Sequence, residues 1–225
     1  MLISDLESDR RAGRSSGNRL CETCVEVLDV SGAGIMLMTD GEHRGTFGVS
    51  NATISVVEEL QFTLGEGPCI DAFNTKQPVF EPNLVEPNVN RWPAFSGPAV
   101  AAGVGAVFGF PLISATPPLG ALDIYLHQPG DLDADQVTDA IALAAVIATS
   151  VLALQADALP GMLAPEIDSS LDHRAVVHQA SGMVSAQLDI GVGSALARIR
   201  AHAYTESRAI NDVAREILNR QLLLD

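Results

Sequence analysis

Val177-His178-Gln179-Ala180-Ser181-Gly182-Met183-Val184-Ser185, then Ala195-Leu196-Ala197-Arg198-Ile199-Arg200-Ala201-His202-Ala203, then Arg208-Ala209-Ile210-Asn211-Asp212-Val213-Ala214, form the stretch that sets the reading of this chain. Projected at about 3.6 residues per turn, the first segment gathers Val176, Val177, Ala180, Met183, Val184 and Leu188 on one side. Arg174, His178, Gln179, Ser181 and Ser185 fall on the other. The second segment places Ala195, Leu196, Ile199 and Ala203 inward and Arg198, His202 and Thr205 outward, with Arg200 at the flank. The third groups Ile210, Val213, Ala214 and Ile217. Helices this short are not stable alone, so three apolar stripes must close on one another as a small bundle.

Outward arginines on such a bundle have two readings. They are ordinary solvated charges, or they grip phosphate with paired hydrogen bonds and stack on unpaired bases, with His178, His202 and Tyr204 adding ring surface. The layout from Arg174 to Ala214 resembles the ANTAR domain of bacterial transcription antiterminators. The resemblance is carried by Gln179, Ala180 and Gly182, by the Ala195 and Arg200 spacing, by Arg208 and by Asp212-Val213-Ala214. Two positions depart from the family pattern: Ser181 stands where a lysine is usual, and Leu196 where an aromatic often follows the alanine. The resemblance implies a module that binds structured RNA, working as a homodimer on paired stem-loops. It places the RNA contact at Arg174, Gln179, Ser181, Arg198, Arg200, His202 and Arg208.

Upstream, a helix is expected from about Asn18 through Cys24, Val25 and Leu28, followed by a buried strand at Gly34–Thr39 and its partner at Gly45–Val49. Val56, Val57 and Leu60 repeat at helical spacing. Further strands are expected at Val79-Phe80, Gly105–Ile113 and Leu119–Leu126, the last two joined as a hairpin, before a long helix from Asp133 to Leu159. This is an α+β pattern, with an antiparallel sheet, flanking helices and a long linking helix ahead of the C-terminal three-helix bundle. The segments Leu64-Gly65-Glu66-Gly67-Pro68-Cys69-Ile70-Asp71-Ala72 and Leu119-Gly120-Ala121-Leu122-Asp123-Ile124-Tyr125 resemble the GAF domains that precede ANTAR modules in actinobacterial regulators. That resemblance implies a sensing domain that takes a small-molecule ligand. It names no ligand residue and no cofactor.

The Gly65-Glu66-Gly67-Pro68 turn either offers amides to an anion or simply opens a short helix. Cys69 is either a sensing thiol or a small buried residue. His43 and His127 carry no pattern, and no compact set of residues for haem or metal is expected. The division read from the sequence is a flexible N-terminus at 1–17, a sensor domain at 18–158, a linker at 159–170 and an RNA-binding domain at 171–225.

The chain of 225 residues is 47% apolar and carries a net charge of −15, which fits a globular protein and disfavours indiscriminate binding to nucleic acid or anionic membrane. Residues 21–160 hold three basic against seventeen acidic residues, whereas residues 161–225 hold six against eight. Any RNA contact therefore belongs to the C-terminal unit, and so few arginines favour a particular RNA shape over general attraction. Cys21, Cys24 and Cys69 are odd in number and follow no signal sequence, so free thiols in the cytoplasm are expected. The uncharged run Ala140–Ala156 falls short of the roughly 20 residues a bilayer requires and reads as a buried helix or a subunit contact. No Gly-x-Ser-x-Gly elbow, phosphate-binding loop ending in Lys or His-Glu-x-x-His appears, so no enzyme is expected. Two functions remain: a signal-responsive RNA-binding antitermination regulator, or a ligand-responsive module whose bundle docks a partner protein.

Overall fold

The computed structural model describes residues 15–39, 42–86, 91–114, 118–156, 164, 167, 175–206 and 208–224. Helix α1 spans Ser16–Leu28. Its start is fixed by the Ser15 hydroxyl, which accepts from the Asn18 amide at 3.2 Å. Strands β1 (Gly32–Thr39) and β2 (Glu42–Val49) follow as an antiparallel pair. Helices α2 (Ala52–Leu64) and α3 (Pro68–Thr75) come next, then β3 (Val79–Glu81) and the short α4 (Ser96–Ala101). Strands β4 (Ala106–Pro111) and β5 (Gly120–Leu126) pair as the expected hairpin. The five strands form one antiparallel sheet in the order β2-β1-β5-β4-β3, so β5 is its centre.

Side chains alternate across that sheet, as strand geometry requires. Ile35, Leu37, Phe108, Phe110, Leu122 and Ile124 pack on one side with Leu20, Cys21, Cys24 and Leu28 of α1. On the opposite side Met36, Met38, Val107, Ala121 and Tyr125 meet residues from α2, α3 and α4, among them Ile54, Cys69, Ala72 and Phe95. Asp123 shares the parity of Ala121 and Tyr125, so a carboxylate stands in the middle of this second, otherwise apolar layer.

Helix α5 spans Ala134–Ala156. By length and composition it is long and apolar enough to cross a membrane, its most apolar 18-residue window having a mean hydropathy of 2.1. Its row of Ala140, Ala144, Ile147, Ala148 and Val151 is buried in the core it shares with α1 and the sheet. The opposite side of the helix is exposed, so it covers the core with one face only. Ala164 and Ile167 are buried in the same core; the rest of the expected 159–170 linker lies outside the described residues.

The C-terminal bundle consists of α6 (Ala175–Leu188), α7 (Val192–Thr205) and α8 (Ile210–Leu218). Every inward residue expected for α7 and α8 is buried, as are Val177, Ala180 and Val184 of α6. One further residue joins this core from outside the bundle. Phe62 of α2 is fully buried among Val177, Ala180, Ile199 and their neighbours, where α2 meets α7. The sequence reading put the mechanical link between units in the long helix. The inner face of α5 is committed to the sheet, and the described seat between the units lies at α2.

Candidate functional site

The seat is built around the Phe62 ring and its carbonyl. Arg200 donates Nε–H to the Phe62 carbonyl oxygen at 2.8 Å, and its guanidinium carbon lies 5.6 Å from the Phe62 ring centroid. The His178 ring meets the same ring edge-on, with centroids 6.0 Å apart. A cation over an aromatic face and a charge-assisted hydrogen bond act here on one residue. His178, expected on the polar side of the bundle, and Arg200, expected at its flank, thus face the N-terminal unit.

The other expected RNA contacts divide. Gln179 and Arg198 are exposed, and His202 is half-buried in the last turn of α7. Arg208 holds Glu216 of α8 through two parallel hydrogen bonds, at 3.0 and 2.5 Å. That pairing pulls the Glu216 carboxyl below the usual carboxylate range. Ser181 was expected on the outer side and is instead fully buried, its hydroxyl donating to the His178 carbonyl at 2.8 Å. The reason is geometric: Val177, Ala180, Ser181 and Val184 follow i, i+3, i+4, i+7 spacing, so the buried stripe of α6 is turned toward Ser181, leaving Val176 and Met183 only partly buried. Arg174 lies outside the described residues.

A second constellation, which the sequence reading missed, surrounds Asp123. In the sheet register Asp123 lies between Gly34 of β1 and Gly109 of β4. A Cβ on Gly34 would stand 2.5 Å from Glu58 Oε1, and one on Gly109 would stand 2.5 Å from the Pro68 carbonyl oxygen. The two glycines therefore let α2 and the start of α3 descend onto the central strand. Gln61 Nε2 donates to Asp123 Oδ2 at 2.6 Å, while Gln61 Oε1 accepts from the Cys69 amide at 2.8 Å. Thr46 Oγ1 donates to Glu58 Oε2 at 3.3 Å. Glu58, Cys69 and Asp123 each bring one ligand-type atom within 4.8 Å of the others, and all three are buried.

Burial pushes the Asp123 pKa up to about 6, against the opposing pull of Glu58, Cys69 and Gln61. Burial likewise lifts the Cys24 thiol to about 12 and holds Cys21 well above its ordinary value. None of the three cysteines is in a disulfide. The Gly65–Pro68 turn is structural. Gly65 ends α2 in the left-handed region at φ 72°, and Pro68 opens α3. The Glu66 carboxylate accepts from the Ala94 and Phe95 amides at 2.6 and 2.9 Å. A compact set of metal-ligating groups was not expected. Its members lie far apart in sequence, so no spacing motif announces them. The one signal was an acid inside the apolar run Ala121-Leu122-Asp123-Ile124 of a central strand.

Comparison with known proteins identifies both units. The sequence model of the GAF domain matches residues 17–151, and that of the ANTAR domain matches residues 166–218. No curated protein matches the chain. Among solved structures, the GAF domain of an Acinetobacter phosphoenolpyruvate-protein phosphotransferase is similar at a TM-score of 0.51 and 14% identity, covering 69% of this chain and 93% of that one. The GAF domain of a Coxiella burnetii phosphoenolpyruvate-protein phosphotransferase gives a TM-score of 0.49 and 15% identity over 69% and 93% of the two chains. At 14% identity the first of these is a likeness of fold alone. Joined to the antiparallel sheet with helices on both faces, the sequence match shows that this chain belongs to the GAF domain family and carries an ANTAR domain in its C-terminal part.

Proposed function

We propose that the chain is a signal-responsive RNA-binding regulator of transcription antitermination, working in the cytoplasm, without enzymatic activity and as a homodimer. In this reading residues 18–158 sense, 159–170 link and 171–225 bind a structured leader RNA with paired stem-loops. The observation that carries it is the pairing of a GAF domain with an ANTAR domain in one chain, the second seated on the first through Phe62. Arg198, Gln179 and His202 supply contact groups in the seated arrangement. Arg200 and His178 join them when the bundle leaves Phe62. The Phe62 seat and RNA then compete for the same arginine, so a signal that loosens or tightens the seat shifts RNA binding, and the coupling is reciprocal.

The homodimer reading is supported by the outer row of α5. Ile141, Ala142, Ala145, Val146, Thr149, Leu152 and Ala153 are exposed, and none is charged. A second copy of this helix is the occupant that matches such a row in length and character, and it would bring two bundles to adjacent hairpins.

A gel-shift assay of the full chain on an RNA with tandem short hairpins tests the proposal. Retention is expected to weaken with salt and to fall about tenfold or more in Arg198→Ala with Arg200→Ala, since each lost phosphate contact weakens binding. Phe62→Ala is expected to tighten binding by freeing the bundle. Failure of wild type and Phe62→Ala alike to retain RNA at low salt would overturn the RNA reading and leave the docking of a partner protein.

A further inference from the structure

We infer that Glu58, Cys69 and Asp123 form a site for one divalent transition-metal ion in the core of the GAF domain. The geometry is that of a built site. Three elements, α2, α3 and β5, each contribute one ligand-type atom, and these atoms lie within 4.8 Å of one another. Ligands sharing a zinc ion stand roughly 3.3–3.6 Å apart at tetrahedral angles, given metal–ligand lengths of about 2.0–2.3 Å, so small side-chain rotations close the set.

Independent of this clustering, Asp123 Oδ1 makes no hydrogen bond although the residue is only 1% exposed. Its other oxygen is fixed by the Gln61 amide, so the bare oxygen is held in place beside Cys69 and Glu58. Glu58 is steadied the same way, by the Thr46 hydroxyl on Oε2. Orienting hydrogen bonds on the far oxygen of each carboxylate are what metal ligands characteristically carry. The missing side chains at Gly34 and Gly109 make the room.

The donor set selects the kind of ion. One thiolate with two carboxylates suits Zn2+, Fe2+ or Co2+ and disfavours Mg2+ and Ca2+, which require oxygen alone. The cation also offsets negative charge that burial would otherwise make costly. On binding, the Cys69 thiol gives its proton to solvent and its sulfur to the metal. Three protein ligands leave a fourth position, open to water or a small signalling ligand. The site stands whether or not the bundle binds RNA. Its consequence for signalling rests on the reading proposed above, since Glu58 and Gln61 of the site share α2 with Phe62 of the seat.

The experiment titrates the reduced, chelator-stripped full chain with Co2+ and then Zn2+. One Co2+ per chain is expected, with a thiolate-to-cobalt charge-transfer band that Zn2+ bleaches. Cys69→Ser abolishes the band, Cys21→Ser and Cys24→Ser retain it, and Asp123→Asn loses stoichiometric binding. Thr46→Val weakens affinity about tenfold by removing the orienting hydroxyl. Zn2+ also raises the melting temperature of the wild type and leaves that of Asp123→Asn unchanged, a readout that holds even if Cys69→Ser folds poorly. Absence of a charge-transfer band in the wild type, or an equal band in Cys69→Ser, overturns the inference. Loss of RNA retention alone would count against the function proposed above and leave the metal site standing.

Discussion

At the scale of single residues, the tightest constraints gather around Asp123. Gly34 shows it most directly, because any side chain there meets the Glu58 carboxylate. Gly34→Ala is expected to destabilise the chain by about 1–3 kcal/mol through overpacking, measured by denaturant unfolding. The thiols make a second residue-level case. Cys21, Cys24 and Cys69 are each at most 1% exposed, and Cys24 ionises only near pH 12. Because the folded pKa lies above the ordinary value of 9.0, the reactive thiolate is suppressed across the whole range up to that pH. A chromogenic disulfide reagent at pH 8 is therefore expected to titrate no thiol in the native chain and all three in denaturant; fast reaction of even one native thiol would contradict this. Little of this environment was legible in the sequence. Cys21 and Cys24 were placed in a helix as buried or bystander thiols, but nothing linear ties Glu58 and Cys69 to an acid on the central strand.

The elements were read with more success, and the reason is physical. The continuous apolar runs of β1 and β5, buried on both faces, and the helical repeat in α7 and α8 are local patterns, and each element obeys its own. Ser181 escaped because its hydroxyl was taken as a mark of the polar side, whereas it sits at i+4 from Val177 on the buried stripe and satisfies itself on the His178 carbonyl. Helix α2 is also anchored locally. Asn51 caps it by accepting from the Ile54 amide at 3.0 Å, while its Nδ2 donates to the Ser31 carbonyl at 2.9 Å. Asn51→Ala is expected to cost about 1–2 kcal/mol, read as a lowered denaturation midpoint with an unchanged slope.

For the whole molecule, the consequential contact among the described residues is Phe62, the aromatic that crosses from one unit into the other. With Phe62 seated, the two units should unfold together. Phe62→Ala removes a fully buried ring, a change worth about 3–5 kcal/mol, and is expected to split one calorimetric transition into two. A single unshifted transition would show that the seat contributes nothing to cooperativity. Self-association is tested on the same scale: Ile141→Glu with Val146→Glu places charge in the uncharged row of α5, and light scattering is expected to report a shift from dimer to monomer.

Glu58, Gln61 and Phe62 lie within about one turn of a single helix, the first two turned toward Asp123 and the third toward the bundle. One inserted or deleted residue among them would rotate the two faces by about 100° relative to each other. This segment can accordingly accept exchanges of side chain far more readily than any change of length. Its phase, more than its chemistry, is what keeps the Asp123 cluster on one side of the helix and the bundle on the other.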